Sequence, residues 1–121
     1  MNDIKARIIA ALVLRNEANE YGIDIEVNKD GTITFYHGTS RENAEKILVD
    51  GFQESTYFSH AEVTSGYGDE PPSWYATVKH KNGVVLRANI DCRYMDFVGG
   101  TGEFYLTTDY KPSVCAVVSS A

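Results

Sequence analysis

The chain is poor in the residues that disulfide-bonded or metal-held folds need. It has only two cysteines, Cys92 and Cys115, and their spacing fits neither a disulfide framework nor a zinc site. We therefore expect reduced core thiols in a cytoplasmic protein. His60 and His80 stand at no metal-ligand spacing and are expected on the solvated surface, so the sequence predicts no metal site.

Long apolar runs and positive charge are also scarce. The longest apolar run, Ile8 to Leu14, has seven residues between two arginines, which is too short for a membrane span and unlike a secretory signal. Eleven Lys and Arg residues against seventeen Asp and Glu residues give a net charge of -6. Such a protein repels a phosphate backbone. The composition therefore disfavours a membrane partner and a general nucleic-acid partner.

What is present suffices for one folded domain. The chain has 121 residues, of which 43% are apolar and 12% aromatic. That length matches a single domain and allows roughly two-thirds of the surface of the unfolded chain to be buried. We predict one domain over residues 1–121, with an N-terminal helix and hairpin strand over residues 1–30 and the binding core over residues 31–121.

Periodicity predicts helical and extended segments in alternation along the first half of the chain. A helix is predicted from Asp3 to about Tyr21, because apolar residues recur there at spacings of three and four. Its predicted core face consists of Ile4, Ile8, Ala11, Leu12 and Arg15, widened by Ile9 and Val13. Alternation in Ile23 to Val27, a turn ending at Gly31 and the run Thr32 to Tyr36 predict a β-hairpin.

A second helix is predicted after the short segment His37-Gly38-Thr39, which is expected to be a loop. Ser40 is its predicted N-cap and Gly51 its predicted end. The expected inner face is Ala44, Ile47 and Leu48. Further on, Ser55 to Phe58 is a β-prone run, and Ser59 with Glu62 has the spacing of a capping box that starts a short helix near His60.

Strand signals dominate the second half of the chain. Trp74 to His80 and Val84 to Ile90 flank an Asn-Gly turn, which predicts a hairpin. The segment Phe97 to Gly102 is predicted to be a glycine-rich loop, and two further strands are expected over Glu103 to Thr108 and Ser113 to Val118. The predicted fold class is α+β, a mainly antiparallel sheet with two or three short helices.

Three segments each place a polar group at the end of a strand, beside glycine, where a ligand could reach it. They are the runs Tyr36-His37-Gly38-Thr39, Thr56-Tyr57-Phe58-Ser59 with the helix to Tyr67, and Gly102-Glu103-Phe104. Each of them alone is weak, and their combination is informative. Tyr36, Phe58 and Phe104 alternate with the motif residues and are predicted to face the core.

These motifs resemble those of the ADP-ribosyltransferases, in the branch shared by diphtheria toxin and the poly(ADP-ribose) polymerases. That branch is named for a His-Tyr-Glu triad on three strands. The matching segments, in order, are Phe35-Tyr36-His37-Gly38-Thr39-Ser40 with a helix ending Ile47-Leu48-Val49-Asp50-Gly51-Phe52, then Thr56-Tyr57-Phe58-Ser59 with Ser65-Gly66-Tyr67, then Glu103-Phe104-Tyr105-Leu106. The resemblance covers about residues 33 to 118 and implies a split, mainly antiparallel sheet.

The resemblance also implies a set of residues that bind NAD as substrate. His37 would bond to the adenosine ribose, and the backbone of Gly38 would pair with the nicotinamide carboxamide, where glycine permits a close approach. Tyr57 and Tyr67 would stack on the nicotinamide ring, and Ser65 would donate to its carboxamide oxygen. Thr39 completes the implied NAD-binding set.

The same resemblance assigns catalysis to Glu103, with His37 and Tyr57 as the other members of the triad. Glu103 would accept a hydrogen bond from the nicotinamide-ribose 2'-OH and would stabilise the positive charge that develops as the glycosidic bond lengthens. Thr101 stands where the arginine-modifying branch of the family has Glu or Gln, which disfavours that branch. The acceptor is then left to the loop Met95 to Gly102, whose only ionisable residue is Asp96.

The expected function is that of a mono-ADP-ribosyltransferase, an enzyme that cleaves NAD and passes ADP-ribose to a macromolecule, in the first place a protein. Its small size suggests a bacterial or phage-borne effector in the cytoplasm, which is the host cytoplasm if the chain is phage-borne. Three alternatives stay open: an NAD glycohydrolase, a non-catalytic module that binds NAD, a nucleotide or a protein, and an RNA 2'-phosphotransferase. The last is disfavoured because the chain has too few cations to hold RNA.

Overall fold

The computed structural model describes residues 2–61 and 70–120 of the chain. Its elements, in chain order, are α1 (Asn2–Asn19), β1 (Ile33–Thr39), α2 (Arg41–Asp50), β2 (Tyr57–Phe58), α3 (Pro72–Trp74) continued by a π-helical turn (Tyr75–Lys79), β3 (Val84–Ile90), a 3-10 turn (Cys92–Tyr94), β4 (Met95–Val98), β5 (Glu103–Leu106) and β6 (Cys115–Ser120). Mixed helices and antiparallel strands confirm the predicted α+β class.

The strands form two antiparallel sheets of three strands each. The first has the order β1-β3-β6 and the second the order β2-β5-β4. The sheets meet where Tyr36 of β1 exchanges two backbone hydrogen bonds with Ser59, just beyond β2. Past this bridge the two strands separate, and the resulting cleft holds the candidate site described below.

Aromatic side chains fill the space between the two sheets. Phe35 of β1 packs on Phe104 of β5 with 4.8 Å between ring centroids, and Phe52 packs edge-on against Phe58 at 4.9 Å. All four rings are at most 2% exposed. Rings in tilted and edge-to-face contact stabilise a core beyond their buried area. This cluster therefore fixes the relative position of the strands that carry the candidate site.

Helix α1 forms where the sequence predicts it but buries a different face. Ala11, Leu14 and Ala18 are buried, whereas Ile9 and Val13 are more than half exposed. Small alanine side chains let the helix approach the sheet closely. This close packing decides which face is buried, although the periodicity favoured a face with larger apolar residues. Ile4 and Leu12 are likewise exposed, so the predicted core face was wrong at these positions and is confirmed at Ala11.

Helix α2 agrees closely with its sequence signals. The Ser40 hydroxyl accepts a hydrogen bond from the backbone N–H of Asn43, as an N-cap does. Gly51 ends the helix with a φ of 89°, and its N–H donates to the carbonyl of Ile47. Ala44 and Ile47 face the core, but Leu48 is exposed and does not belong to the inner face.

Each of the two predicted hairpins forms only in part. The turn before Gly31 forms, but Ile23 to Val27 contributes a single bridge, between Val27 and Ile33, instead of a strand. Trp74 to His80 is helical instead of extended. The backbone of Lys81 and Asn82 has φ values of 43° and 42°, and these positive angles join a helix to β3 instead of joining two strands.

Three smaller features complete the fold. His37-Gly38-Thr39 continues β1 instead of forming a loop, and Phe97 and Val98 belong to β4, so that only residues 99–102 form the glycine-rich turn. Both thiols are free, with Cys92 buried and Cys115 half-buried. Among the described helices, none combines the length and apolar character that crossing a membrane requires.

Candidate active site

A cavity of about 410 Å³ lies in the cleft where the two sheets diverge. It brings together residues that are far apart in sequence, including four of the predicted site residues. Its described lining is Tyr36, His37, Gly38, Tyr57, Ser59, Glu70, Pro72, Tyr75, Val98, Thr101 and Glu103. Two of these side chains are carboxylates and none is a lysine or arginine. The described part of the cavity therefore suits a neutral or positively charged group.

Backbone groups of two diverging strands line the deepest part of this cleft. The backbone N–H and C=O of Tyr36 bond to Ser59 and so point away from β3. In an antiparallel ladder this direction alternates from one residue to the next, so the N–H and C=O of Gly38 also point away from β3. Gly38 lies opposite Tyr57 in this register, but the strands have already separated. Among the described residues, no backbone group outside the sheet bonds to Gly38. One donor and one acceptor therefore face the cavity side by side.

His37 fixes the other side of this gap. Its Nδ1 lies 2.7 Å from the carbonyl oxygen of Tyr57, which can only accept, so Nδ1 donates and Nε2 is left as an acceptor. The ring packs edge-on against Phe52, with 5.9 Å between centroids, and against Phe58 at 5.6 Å. These contacts hold the imidazole in one orientation with a defined tautomer.

Burial gives His37 a testable pH dependence. Burial lowers its pKa below 6.5, the bond to the Tyr57 carbonyl opposes this shift, and the charge of His80 adds to it. The unfolded chain therefore takes up a proton at this residue before the folded chain does, and the free energy of unfolding should fall as the pH drops below 6.5. The slope for one histidine is at most about 1.4 kcal/mol per pH unit.

Urea unfolding at about pH 7.5 and about pH 5.5 measures this contribution. His37→Gln keeps a donor for the Tyr57 carbonyl but does not titrate, so its stability should fall less than that of the wild type. His60→Gln is a second comparison, because burial also lowers the pKa of His60. An equal fall in the wild type and His37→Gln would contradict the assignment.

Glu103 and Tyr57 come from neighbouring strands of the second sheet. Glu103 begins β5, as the sequence predicts, and its side chain is only 7% exposed on the cavity wall. Tyr57 begins β2 and is 46% exposed at the cavity mouth. A buried carboxylate beside an accessible ring can hold a planar cationic group against the ring while its charge is stabilised.

Packing against the cavity wall leaves no room for a side chain at Gly38. A Cβ atom at this position would overlap the carbonyl oxygen of Pro72 and lie 2.7 Å from its carbonyl carbon. The space that a side chain would occupy is therefore filled by the first turn of α3. Close packing of two backbones accounts for this glycine, whereas the close approach of a ligand was the reason expected from sequence.

A second cavity, of about 490 Å³, adjoins the first. His37 and Tyr57 line both cavities, so the two meet at these residues. The second cavity is bounded by α2 and by the segment before β2, and its charged lining residues are Lys46, Asp50 and Asp109. An elongated ligand could occupy both cavities and pass His37 between them.

The remaining predicted site residues are placed differently. Thr39 is buried and lines neither cavity, because its hydroxyl accepts a hydrogen bond from the Asn43 amide. Ser65 and Tyr67 lie outside the described residues, as does Glu62, the expected capping partner of Ser59. The helix predicted near His60 falls largely on the same segment, although Ser59 itself is buried on the cavity wall.

Several lining residues were missed from sequence. Tyr36 was expected in the core, but it is half-buried and lines the cavity, because β1 turns this face toward the cleft. Tyr75 was assigned to a strand and reaches the cavity only because its segment is helical. The Thr101 hydroxyl is buried with no hydrogen-bond partner among the described residues. No local sequence signal marks Tyr36 or Tyr75 as a lining residue, whereas Thr101 stands two residues before the predicted catalytic Glu103.

Comparisons of the chain with protein-family models, with curated protein sequences and with solved structures returned no match.

Proposed function

We propose that the chain is a mono-ADP-ribosyltransferase that cleaves NAD and transfers ADP-ribose to a protein. The observation that carries the proposal is the convergence of His37, Gly38, Tyr57 and Glu103 on one cavity. These residues come from three strands, β1, β2 and β5, and all four belong to the sequence motifs described above. Their meeting at one cavity supports a common ligand.

The nicotinamide end of NAD fits the first cavity chemically. A primary carboxamide presents one acceptor and two donors, which complement the N–H and C=O that Gly38 directs into the cleft. The positively charged ring would stack on Tyr57 and lie near the carboxylates of Glu70 and Glu103. The described lining of this cavity holds no lysine or arginine, which agrees with the cationic nicotinamide ring of intact NAD.

The other end of NAD would extend past His37 into the second cavity. The Nε2 acceptor of His37 suits a ribose hydroxyl, which can donate to it. Lys46 supplies the only positive charge among the described lining of the two cavities and would stabilise the diphosphate. The joined cavities therefore offer a stacking surface, a hydrogen-bond acceptor and a cation, which are the groups that a dinucleotide needs.

Glu103 would act at the bond that breaks. As the bond between C1' of the ribose and the nicotinamide nitrogen lengthens, positive charge develops on the sugar, and a nearby carboxylate stabilises it. Nicotinamide leaves with the bonding electron pair. The acceptor nucleophile then bonds to C1' and loses its proton, so that the atoms and charges balance.

The proposal is tested with the purified full chain and NAD labelled in the adenylate phosphate, with and without a bacterial lysate. Free nicotinamide and macromolecule-bound label are followed together. We expect nicotinamide release and a discrete labelled protein band. Nicotinamide release with no labelled macromolecule would replace the proposal by an NAD glycohydrolase, and the absence of both signals would replace it by a binding module.

A further inference from the structure

A row of polar and aromatic side chains crosses the cavity side of the second sheet. Tyr105 of β5 pairs with Tyr57 of β2 on one side and with Asp96 of β4 on the other. Because side chains alternate between the faces of a sheet, Glu103 lies on this same face, whereas Phe58, Phe97 and Phe104 point into the core. We name the row Tyr57, Tyr105 and Asp96 the tyrosine–aspartate ledge.

The ledge is held together by direct contacts. The rings of Tyr57 and Tyr105 stack with 5.6 Å between centroids and 29° between planes. The Tyr105 hydroxyl donates to Oδ2 of Asp96 at 3.3 Å, and the backbone N–H of Phe97 donates to Oδ1 at 3.0 Å. The negative charge of Asp96 raises the pKa of Tyr105, so this hydroxyl stays protonated as a donor.

The ledge is also open to a partner. Tyr57 is 46% exposed and Asp96 is exposed. Within residues 2–61 and 70–120, the salt bridges join Asp3 of α1 to Arg7 and Arg93, and Asp91 to Arg93, and none of them includes Asp96. A stacked aromatic surface that ends in a carboxylate complements a guanidinium, which is planar, cationic and able to donate two parallel hydrogen bonds.

Distance relates this surface to the proposed reaction. Glu103 and Tyr105 are two residues apart on one strand face, which separates them by roughly 7 Å. An extended peptide places the side chains of residues i and i+2 at the same spacing on one side. A residue docked on the ledge would therefore present the second residue along the acceptor chain to the carbon beside Glu103.

We propose that the tyrosine–aspartate ledge docks an arginine of the protein acceptor, and that the nucleophile lies two residues from that arginine. This inference rests on the proposed transferase function for the site and adds the chemistry of its partner. The docked arginine positions the acceptor and is not itself modified. The net charge of -6 would also attract a basic segment before contact.

Direct binding tests the ledge without catalysis. A dye-labelled peptide of Arg-Gly-Ser repeats is titrated with the full chain by fluorescence anisotropy, beside Lys-Gly-Ser and Glu-Gly-Ser peptides of equal length. We expect the arginine peptide to bind most tightly, and Asp96→Asn to weaken it by about tenfold, as the loss of a charge-assisted hydrogen bond does. Asp24→Asn removes one exposed carboxylate elsewhere and should change binding less than about twofold.

The same proteins are then given labelled NAD and the arginine peptide. Asp96→Asn should release nicotinamide at the wild-type rate without peptide, but should label the serine of the peptide about tenfold more slowly. The ledge proposal would be overturned if Asp96→Asn bound and labelled the arginine peptide as well as the wild type does. It would also be overturned if the glutamate peptide bound as tightly as the arginine peptide. Binding that depends on Asp96 without any nicotinamide release would support the ledge and overturn the transferase.

Discussion

Glu103→Gln should lower the rate of nicotinamide release about a thousandfold while leaving the Kd for NAD within about threefold of the wild type. The amide of glutamine can still bond a ribose hydroxyl, so ground-state binding survives. It carries no charge, so it cannot stabilise the positive sugar in the transition state. The rate is measured from nicotinamide release at saturating NAD, and the affinity by equilibrium titration.

Glu70→Gln is the matched control for this variant, because Glu70 is the other carboxylate that lines the cavity and its side chain is exposed. We expect less than about a threefold loss of rate there, because water screens an exposed charge. The assignment of Glu103 fails if its variant keeps a tenth of the wild-type rate, or if the Glu70 variant loses as much.

Gly38→Ala should reduce the free energy of unfolding by about 3 kcal/mol, a value typical of an overpacked, rigid site. The added methyl group would meet backbone atoms of Pro72, which cannot rotate away as a side-chain end can. Either β1 or the first turn of α3 must move. Urea unfolding gives the loss of stability, with Gly100→Ala as the control.

The control, Gly100→Ala, makes the same substitution at a position with open space around it. A Cβ on Gly100 would meet no atom within 4 Å, so its stability should stay within about 0.5 kcal/mol of the wild type. Trp74 is the only tryptophan of the chain and belongs to α3, so its fluorescence reports on movement of this segment. An unchanged emission and an unfolding midpoint equal to that of Gly100→Ala would contradict the packing account.

Local chemistry was enough to predict both ends of one helix and the start of one strand. The helix from Ser40 to Gly51 has an N-cap hydroxyl, an apolar stripe and a terminal glycine, and each signal acts within a few residues. Strand β5 also starts at Glu103 as expected. These elements depend little on the rest of the fold, which is why a single sequence identifies them.

Other elements depend on packing that the sequence does not display. The segment Trp74 to His80 is rich in aromatic and β-branched residues, yet Pro72 begins a helix there that packs its backbone on Gly38. The turn predicted at Asn82 forms, with a positive φ at this residue, but the Asn-Gly pair does not determine which elements the turn joins. Tertiary contacts therefore determined the helical structure of this segment, which was predicted to be a strand.

The candidate site shows the same division. His37, Tyr57 and Glu103 were identified by resemblance to a family, and only the strand register brings them to one cavity. The tautomer of His37 follows from its contact with the Tyr57 carbonyl, and the direction of the Gly38 backbone follows from the bridge between Tyr36 and Ser59. No spacing along the chain contains that information.

The bridge between Tyr36 and Ser59 is a rung between the two sheets, with two backbone bonds on the site side of the molecule. A ligand that pairs with Gly38 of β1 and stacks on Tyr57 of β2 would add a second link between the sheets, two residues further along β1. Substrate occupancy and the stiffness of the joint between the sheets would then rise together, because bonds that form only in the folded chain stabilise it. A bound substrate would therefore hold the two sides of the cleft together.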